Sequence, residues 1–167
     1  MLRQIEYINV ENELDKFFKS VIKQSRSNLT KKGINASKDL YRSLNYDIDV
    51  NKNSIEADFL MEDYGDFIDK GVKGVKEGRS LAGYKYTNKK PPVRFIKTWL
   101  KRKTGKFRQR NQDSIAYAIQ NTIYKRGIKP TEFFSKPFKN EFNKLPDEII
   151  EAYGLDLDDF MEFVLNK

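Results

Sequence analysis

Apolar side chains recur at steps of three, four and seven through Leu14, Phe17, Phe18, Val21, Ile22 and Leu29. That spacing lays one stripe along a helix from about Asn12 to Leu29, with Asp15, Lys16, Lys19, Lys23 and Arg26 on the solvated side. Residues Arg3 to Val10 read as a short strand before it, and Gly33 is placed to stop the helix. The period then changes to two. Leu44, Tyr46, Ile48 and Val50 alternate with polar neighbours, and after an Asn51-Lys-Asn53 link Ile55, Ala57, Phe59 and Met61 do the same. Two alternating runs joined by an Asn-rich link predict an antiparallel hairpin over about 44–61, because Asn tolerates the left-handed backbone of such turns. Its apolar face requires a helix against it, and the long N-terminal helix is the nearest.

Downstream, residues 63–71 predict a turn of helix closed by Gly71. Residues 72–90 hold Gly74, Gly78 and Gly83 among several bases and show no period, which reads as a long mobile loop. Pro91-Pro92 opens a helix with Val93, Ile96, Trp99 and Leu100 as its buried stripe. A polar stretch, 104–111, separates it from a helix over Gln112–Arg126 that ends at Gly127. Phe134, Phe138 and Phe142 are spaced four apart, again helical, and two short helices follow at Pro146–Tyr153 and Asp156–Leu165. The fold class is therefore α+β: a long N-terminal helix on a small antiparallel sheet, followed by several helices. The expected organisation is one domain over 1–145 with an acidic helical extension over 146–167.

Composition narrows the chemistry. The 167 residues include 12 Phe, 9 Tyr and 1 Trp, enough large apolar surface for a folded core despite 34% charged residues. There is no Cys and no His, so disulfides, thiolate nucleophiles, Cys- or His-ligated metals and imidazole acid–base chemistry are excluded. No run of 18 apolar residues occurs and the N-terminus does not look like an export signal; the expectation is a protein made in a reducing cytosol, without a membrane partner.

Charge is segregated. Residues 46–69 hold eight acids and one base, Lys52; residues 70–110 hold fifteen bases and one acid, Glu77; residues 141–167 hold eight acids and two bases. Such asymmetry points to an electrostatic partner, which leaves two kinds open. One is another copy: acids Asp47, Asp49, Glu56 and Asp58 of the hairpin would meet the 72–90 region of a neighbour, with Gly71, Gly74, Lys76, Arg79, Lys85, Lys89 and Lys90 at the contact. The other is nucleic acid, whose phosphates would meet Lys85, Lys89, Lys90, Lys97, Lys101, Arg102, Lys103, Lys106, Arg108 and Arg110, with Tyr84, Tyr86 and Phe107 available to stack on bases. The plainer alternative is that these charges only solvate a loop.

No motif adds a catalytic set or a cofactor. Asp63, Asp66 and Asp69 fall on one helical face but lack a fourth ligand, so a solvated face is the better reading than a metal site. Gly71-x-x-Gly74 lacks the Gly-Lys-Ser/Thr ending of a phosphate loop. Asp58 with Glu77 and Lys76 does not make a nuclease set, because the last two fall in the glycine-rich segment.

The order of elements resembles a family of tailed-bacteriophage head–tail joining proteins, also called tail-completion or neck proteins. Ala36-Ser-Lys-Asp-Leu40-Tyr-Arg-Ser43-Leu44 stands where that family has a Thr-Gly-x-Leu-x-x-Ser box, with Ser37-Lys38 in place of Thr-Gly. Tyr64-Gly-Asp-Phe67-Ile-Asp69-Lys-Gly71 is similar to its central Tyr-Ala/Gly-x-Phe/Tyr-x-Glu/Asp-x-Gly segment. Pro91-Pro92-x-x-x-Ile96-x-x-Trp99-Leu100, Ile115-Ala116-x-Ala118-Ile119 and Arg126-Gly127-Ile128-Lys129-Pro130-Thr131-x-Phe133-Phe134 resemble its longer forms. The likeness spans roughly residues 12–142 and leaves out the acidic C-terminal helices. It implies a non-enzymatic ring homo-oligomer in the virion at the head–tail junction, made in the host cytoplasm. Portal-side or tail proteins would be its neighbours, with packaged DNA passing through the channel.

Overall fold

The computed structural model describes residues 7–34, 38–51, 54–102 and 111–165. The fold is α+β, as the sequence predicts. A 24-residue helix α1 (Ile8–Lys31) leads through a short α2 (Asp39–Ser43) into strands β1 (Asn45–Val50) and β2 (Ile55–Leu60). Next come α3 (Tyr64–Lys70), β3 (Val72–Lys73), α4 (Val93–Arg102), α5 (Gln112–Arg126), β4 (Gly127–Ile128), α6 (Ser135–Phe142) and α7 (Leu145–Leu165).

α1 begins earlier than its stripe suggests. Tyr7 caps it and residues 8–10 form its first turn rather than the end of a strand, while residues 3–6 of that expected strand lie outside the described residues. The reason sits 146 residues away. The carboxylate of Asp156, buried in α7, accepts from the backbone N–H of Asn9 (2.9 Å) and Val10 (3.1 Å), and from the Asn9 side chain. A distant acid thus satisfies donors that the helix cannot pair within itself and complements its dipole. The other end closes as the sequence predicts. Gly33, at φ +64°, donates to Thr30 O and Ile34 donates to Leu29 O, respectively the five-to-two and six-to-one bonds of a glycine-terminated helix.

The hairpin pairs Asn45 with Leu60 through Val50 with Ile55, so Tyr46, Ile48, Ala57 and Phe59 share the face turned to α1. Against them pack Phe17, Phe18 and Val21 of α1, Phe134 and Phe138 beside α6, and Leu145. Phe18 and Phe59 stack at 4.2 Å between centroids, and Phe134 meets Phe59 edge-on at 5.0 Å. Each buried phenyl contributes about 2–3 kcal/mol of transfer free energy, which makes this layer the centre of the fold. Phe133, fully buried, joins it to a neighbouring cluster of Ile22, Leu29, Leu40 and Leu44.

Three expectations are corrected. The C-terminal segment is one helix running through Gly154 rather than two, because Leu145, Ile149 and Ala152 bury one continuous face that offsets the roughly 1 kcal/mol helix cost of glycine. Trp99 is 40% exposed, since α4 packs on α5 through Val93, Ile96 and Leu100 against Ala116, Ile119 and Ile123. The segment 72–90 is not a structureless loop. Val75, Lys76 and Glu77 donate backbone N–H groups to Tyr124 O and Lys125 O, the carbonyls that the last turn of α5 leaves unpaired. The backbone N–H of Lys73 donates to Tyr84 O and its carbonyl accepts from the N–H of Tyr86, and Val72 and Lys73 pair with Ile128 and Gly127 as a two-residue ladder. This close approach needs glycine: a Cβ on Gly74 would collide with the carbonyl of Lys125, and one on Gly127 (φ +79°) with that of Val72.

Candidate functional site

The outer face of the hairpin carries the first charged surface. Strand register sets Asp47 directly opposite Asp58 and Asp49 directly opposite Glu56, and all four side chains are exposed. Like charges facing across a ladder repel. Among the described residues no cation bridges any of the four, and no group of acids is arranged to hold a metal. The expected acidic cluster is therefore assembled in space, two by two, on an open two-stranded sheet. Such a face stores repulsion that a basic surface relieves.

The second surface is basic and begins where 72–90 wraps the end of α5. Lys76, Arg79, Lys85, Lys89 and Lys90 are all exposed on it. Lys90 donates to the Asn121 side chain at 2.8 Å and lies over the Tyr124 ring. Glu77, the single acid of the segment, is taken by Arg126 at 3.0 Å. Pro91-Pro92 then carries the chain straight into α4, which continues the charge with Arg94, Lys97 and Lys101 and holds no acid, while the Arg102 side chain lies outside what is described. Lys97 bonds Asp113 at 2.9 Å, and that hydrogen bond raises its ammonium above the ordinary lysine value. Gly71 and Gly74 are buried under this surface, where they permit close backbone packing and offer no side chain to a partner. Lys103, Lys106, Arg108 and Arg110 lie outside the described residues, as do Lys52, Phe107 and the Ala36-Ser37 portion of the predicted box.

Aromatic use differs from the expectation for nucleic-acid stacking. Tyr84 turns its hydroxyl to Asp66 and its ring edge-on to Phe67 at 4.9 Å. Burial pushes the Asp66 carboxyl up, but hydrogen bonds from Lys70 and Tyr84 outweigh it and hold it below the usual range. Tyr86 is partly buried against Tyr124 at 6.2 Å, and burial raises its phenol. Neither ring is presented to a base. The most exposed aromatic among the described residues is Phe95, at 60%, with the Arg94 guanidinium 4.7 Å from its centroid and Trp99 exposed on the same helix. Sequence reasoning assigned Phe95 no role; the available signal is its place one residue before Ile96, off the buried stripe of α4.

Two concavities complete the surface. The larger of the two, about 610 Å³, lies between α1 and the α2–β1 region and is lined by Lys19, Lys23, Arg26 and Lys31 with Tyr41 and Tyr46, with no carboxylate among its described lining residues. The smaller, about 490 Å³, is an apolar groove between the first turns of α1, the start of β2 and α7, lined by Val10, Leu14, Ile55, Ile149, Ile150 and Tyr153. It joins the hairpin end to α7.

The remaining buried charge is structural. Asp69, expected on a solvated face, is 1% exposed. Its carboxylate accepts from the N–H groups of Phe134 (2.8 Å) and Ser135 (3.2 Å) and from the Ser135 hydroxyl, capping α6 from α3. No described helix is long and apolar enough to cross a membrane. No protein-family model, curated protein or solved structure matches this chain.

Proposed function

We propose that this chain is a structural subunit of a tailed-phage virion, a ring-forming head–tail connector or tail-completion protein without enzymatic activity. It acts by protein–protein contacts at the neck, with its own copies and with portal-side or tail proteins. The observation that carries this reading is the presence of two complementary surfaces on one subunit. The outer hairpin face holds four facing acids with no described cation, and the 72–90 wrap with α4 holds exposed bases with few acids. A surface pair of this kind joins copies head to tail and closes a ring when the rotation permits. The motif likeness over roughly residues 12–142 supplies the location at the head–tail junction.

The test is solution mass by light scattering at low salt and at about 0.5 M salt, where the Debye length is about 4 Å. The expected result is a multimer that dissociates at high salt. The alternative reading, a nucleic-acid-binding module working through the 70–110 segment, is favoured by Arg94, Lys97 and Lys101 on one acid-free helix. It predicts a monomer or dimer that binds DNA tightly, with an affinity that falls steeply as salt rises.

A further inference from the structure

The outer face of α7 is apolar and exposed, covered among the described residues at one end, where Tyr7 stacks on Tyr153 at 6.2 Å. Ile150, Tyr153, Leu157, Met161 and Val164 follow at steps of three and four, and all are exposed, Ile150 by 71%. The buried stripe of α7 faces α1, so this is a second stripe beside the first. It runs out of the apolar groove at Ile150 and Tyr153. A contiguous apolar surface of this extent marks an interaction site.

Charge decides what covers it. The exposed acids Asp147, Glu148, Glu151, Asp158, Asp159 and Glu162 share α7, and the helix carries no base. A second α7 laid against the first would set acids beside acids, so a homotypic pair is disfavoured. The required occupant is an apolar edge carried among bases. This chain has one: α4, where Phe95 is exposed beneath Arg94, with Lys101 exposed on the same helix. The arrangement also agrees with the two charged surfaces. α4 continues the basic 72–90 segment, and α7 shares the groove with the start of β2 in the acidic hairpin.

We propose that copies of this chain associate head to tail through an apolar contact in which the Phe95 edge of α4 seats on the outer stripe of α7 of the next copy. The acids of α7 face the bases of α4 around it. This deepens the ring reading above by naming the anchor of the subunit contact.

The experiment uses two full-length variants, Arg94→Glu with Lys101→Glu and Asp158→Lys with Glu162→Lys, each checked for wild-type circular dichroism. All four side chains are exposed, and the circular dichroism check shows that the fold is retained before the masses are compared. By light scattering, each variant alone assembles at least about tenfold less readily than wild type. Their equimolar mixture regains assembly, because each reversed helix then meets an opposite charge. Variants that keep the wild-type mass overturn the contact; a chain carrying Asp47→Lys and Asp58→Lys that dissociates in the same series would leave the ring reading standing without it. A wild-type chain that is monomeric at every concentration overturns it as well. Because the chain contains no cysteine, Leu157→Cys gives a separate check. A disulfide-linked dimer formed by that variant alone would mean α7 meets α7, and would also overturn the proposal.

Discussion

Two regions of this molecule are held together by different means. In the body, α1, the hairpin, α6 and α7 share an aromatic layer and are fastened by side chains reaching across the sequence. Asp156 caps α1, Asp69 caps α6, and Glu141 of α6 accepts from Ser20 (3.0 Å) and Gln24 (2.9 Å) of α1. In the outlying part, α4 and α5 form a small core of their own, and the 72–90 wrap is fastened by backbone bonds made possible by glycine. Side chains fasten the first region, whereas backbone bonds, with side-chain ties such as Tyr124 to Thr87 O and Arg126 to Glu77, fasten the second. The basic surface is built on the second.

The largest effect expected from breaking the body is at Asp69. Asp69→Ala leaves the buried N–H groups of Phe134 and Ser135 without their acceptor and costs about 3 kcal/mol, read as a lower midpoint in urea unfolding followed by circular dichroism. Breaking the outlying region takes a different change. Gly74→Ala forces the wrap away from α5 and costs about 2 kcal/mol locally. In hydrogen exchange the amides of Val75, Lys76 and Glu77 lose protection, whereas those of α1 and the hairpin keep theirs. Global loss of protection would mean the two regions are one cooperative unit.

Glu141 sharpens the comparison through pH. Its hydrogen bond from Gln24, with those from Ser20 and Lys144, outweighs burial and holds its pKa below the ordinary 4.5. A carboxyl lowered on folding stabilises the protein above its unfolded value, and that contribution is lost as pH falls through the folded one. Glu141→Gln therefore costs about 1 kcal/mol at neutral pH, and the difference from wild type shrinks in acid titrations below 4.5. The smallest change has the opposite sign. The Ser25 hydroxyl is fully buried in α1 with no hydrogen-bond partner among the described residues, so Ser25→Ala raises stability by roughly 1 kcal/mol in the same urea assay.

This division also explains what the sequence discloses. The stripe of Phe17, Phe18, Val21 and Leu29, the alternation of Tyr46 and Ile48 with Asp47 and Asp49, and the Phe134–Phe138 step are side-chain periodicities, and each became the element it predicts. The wrap has no such signal, because its order comes from carbonyls at the end of α5 that no residue type advertises. Asp69 and Asp156 look like surface acids until the fold brings distant helix ends to them. Gly154 suggests a break, and only packing along α1 keeps α7 continuous. For the site, the identity of the acidic hairpin residues was legible and their direct opposition followed from register. The exposed aromatic edge at Phe95 was not, and Leu157, Met161 and Val164 were legible as an amphipathic stripe but not as an exposed one, since a stripe beside a buried one reads as a wide core face.

The most direct measurement is the solution mass of wild type against a chain carrying Asp47→Asn, Asp49→Asn, Glu56→Gln and Asp58→Asn at low salt. These exposed changes remove the repulsion across the hairpin and leave its inner face untouched. If complementary charged surfaces join the subunits, wild type is a multimer and the neutralised chain is a monomer of unchanged secondary structure. Equal masses for the two chains would contradict a role for the hairpin acids in assembly.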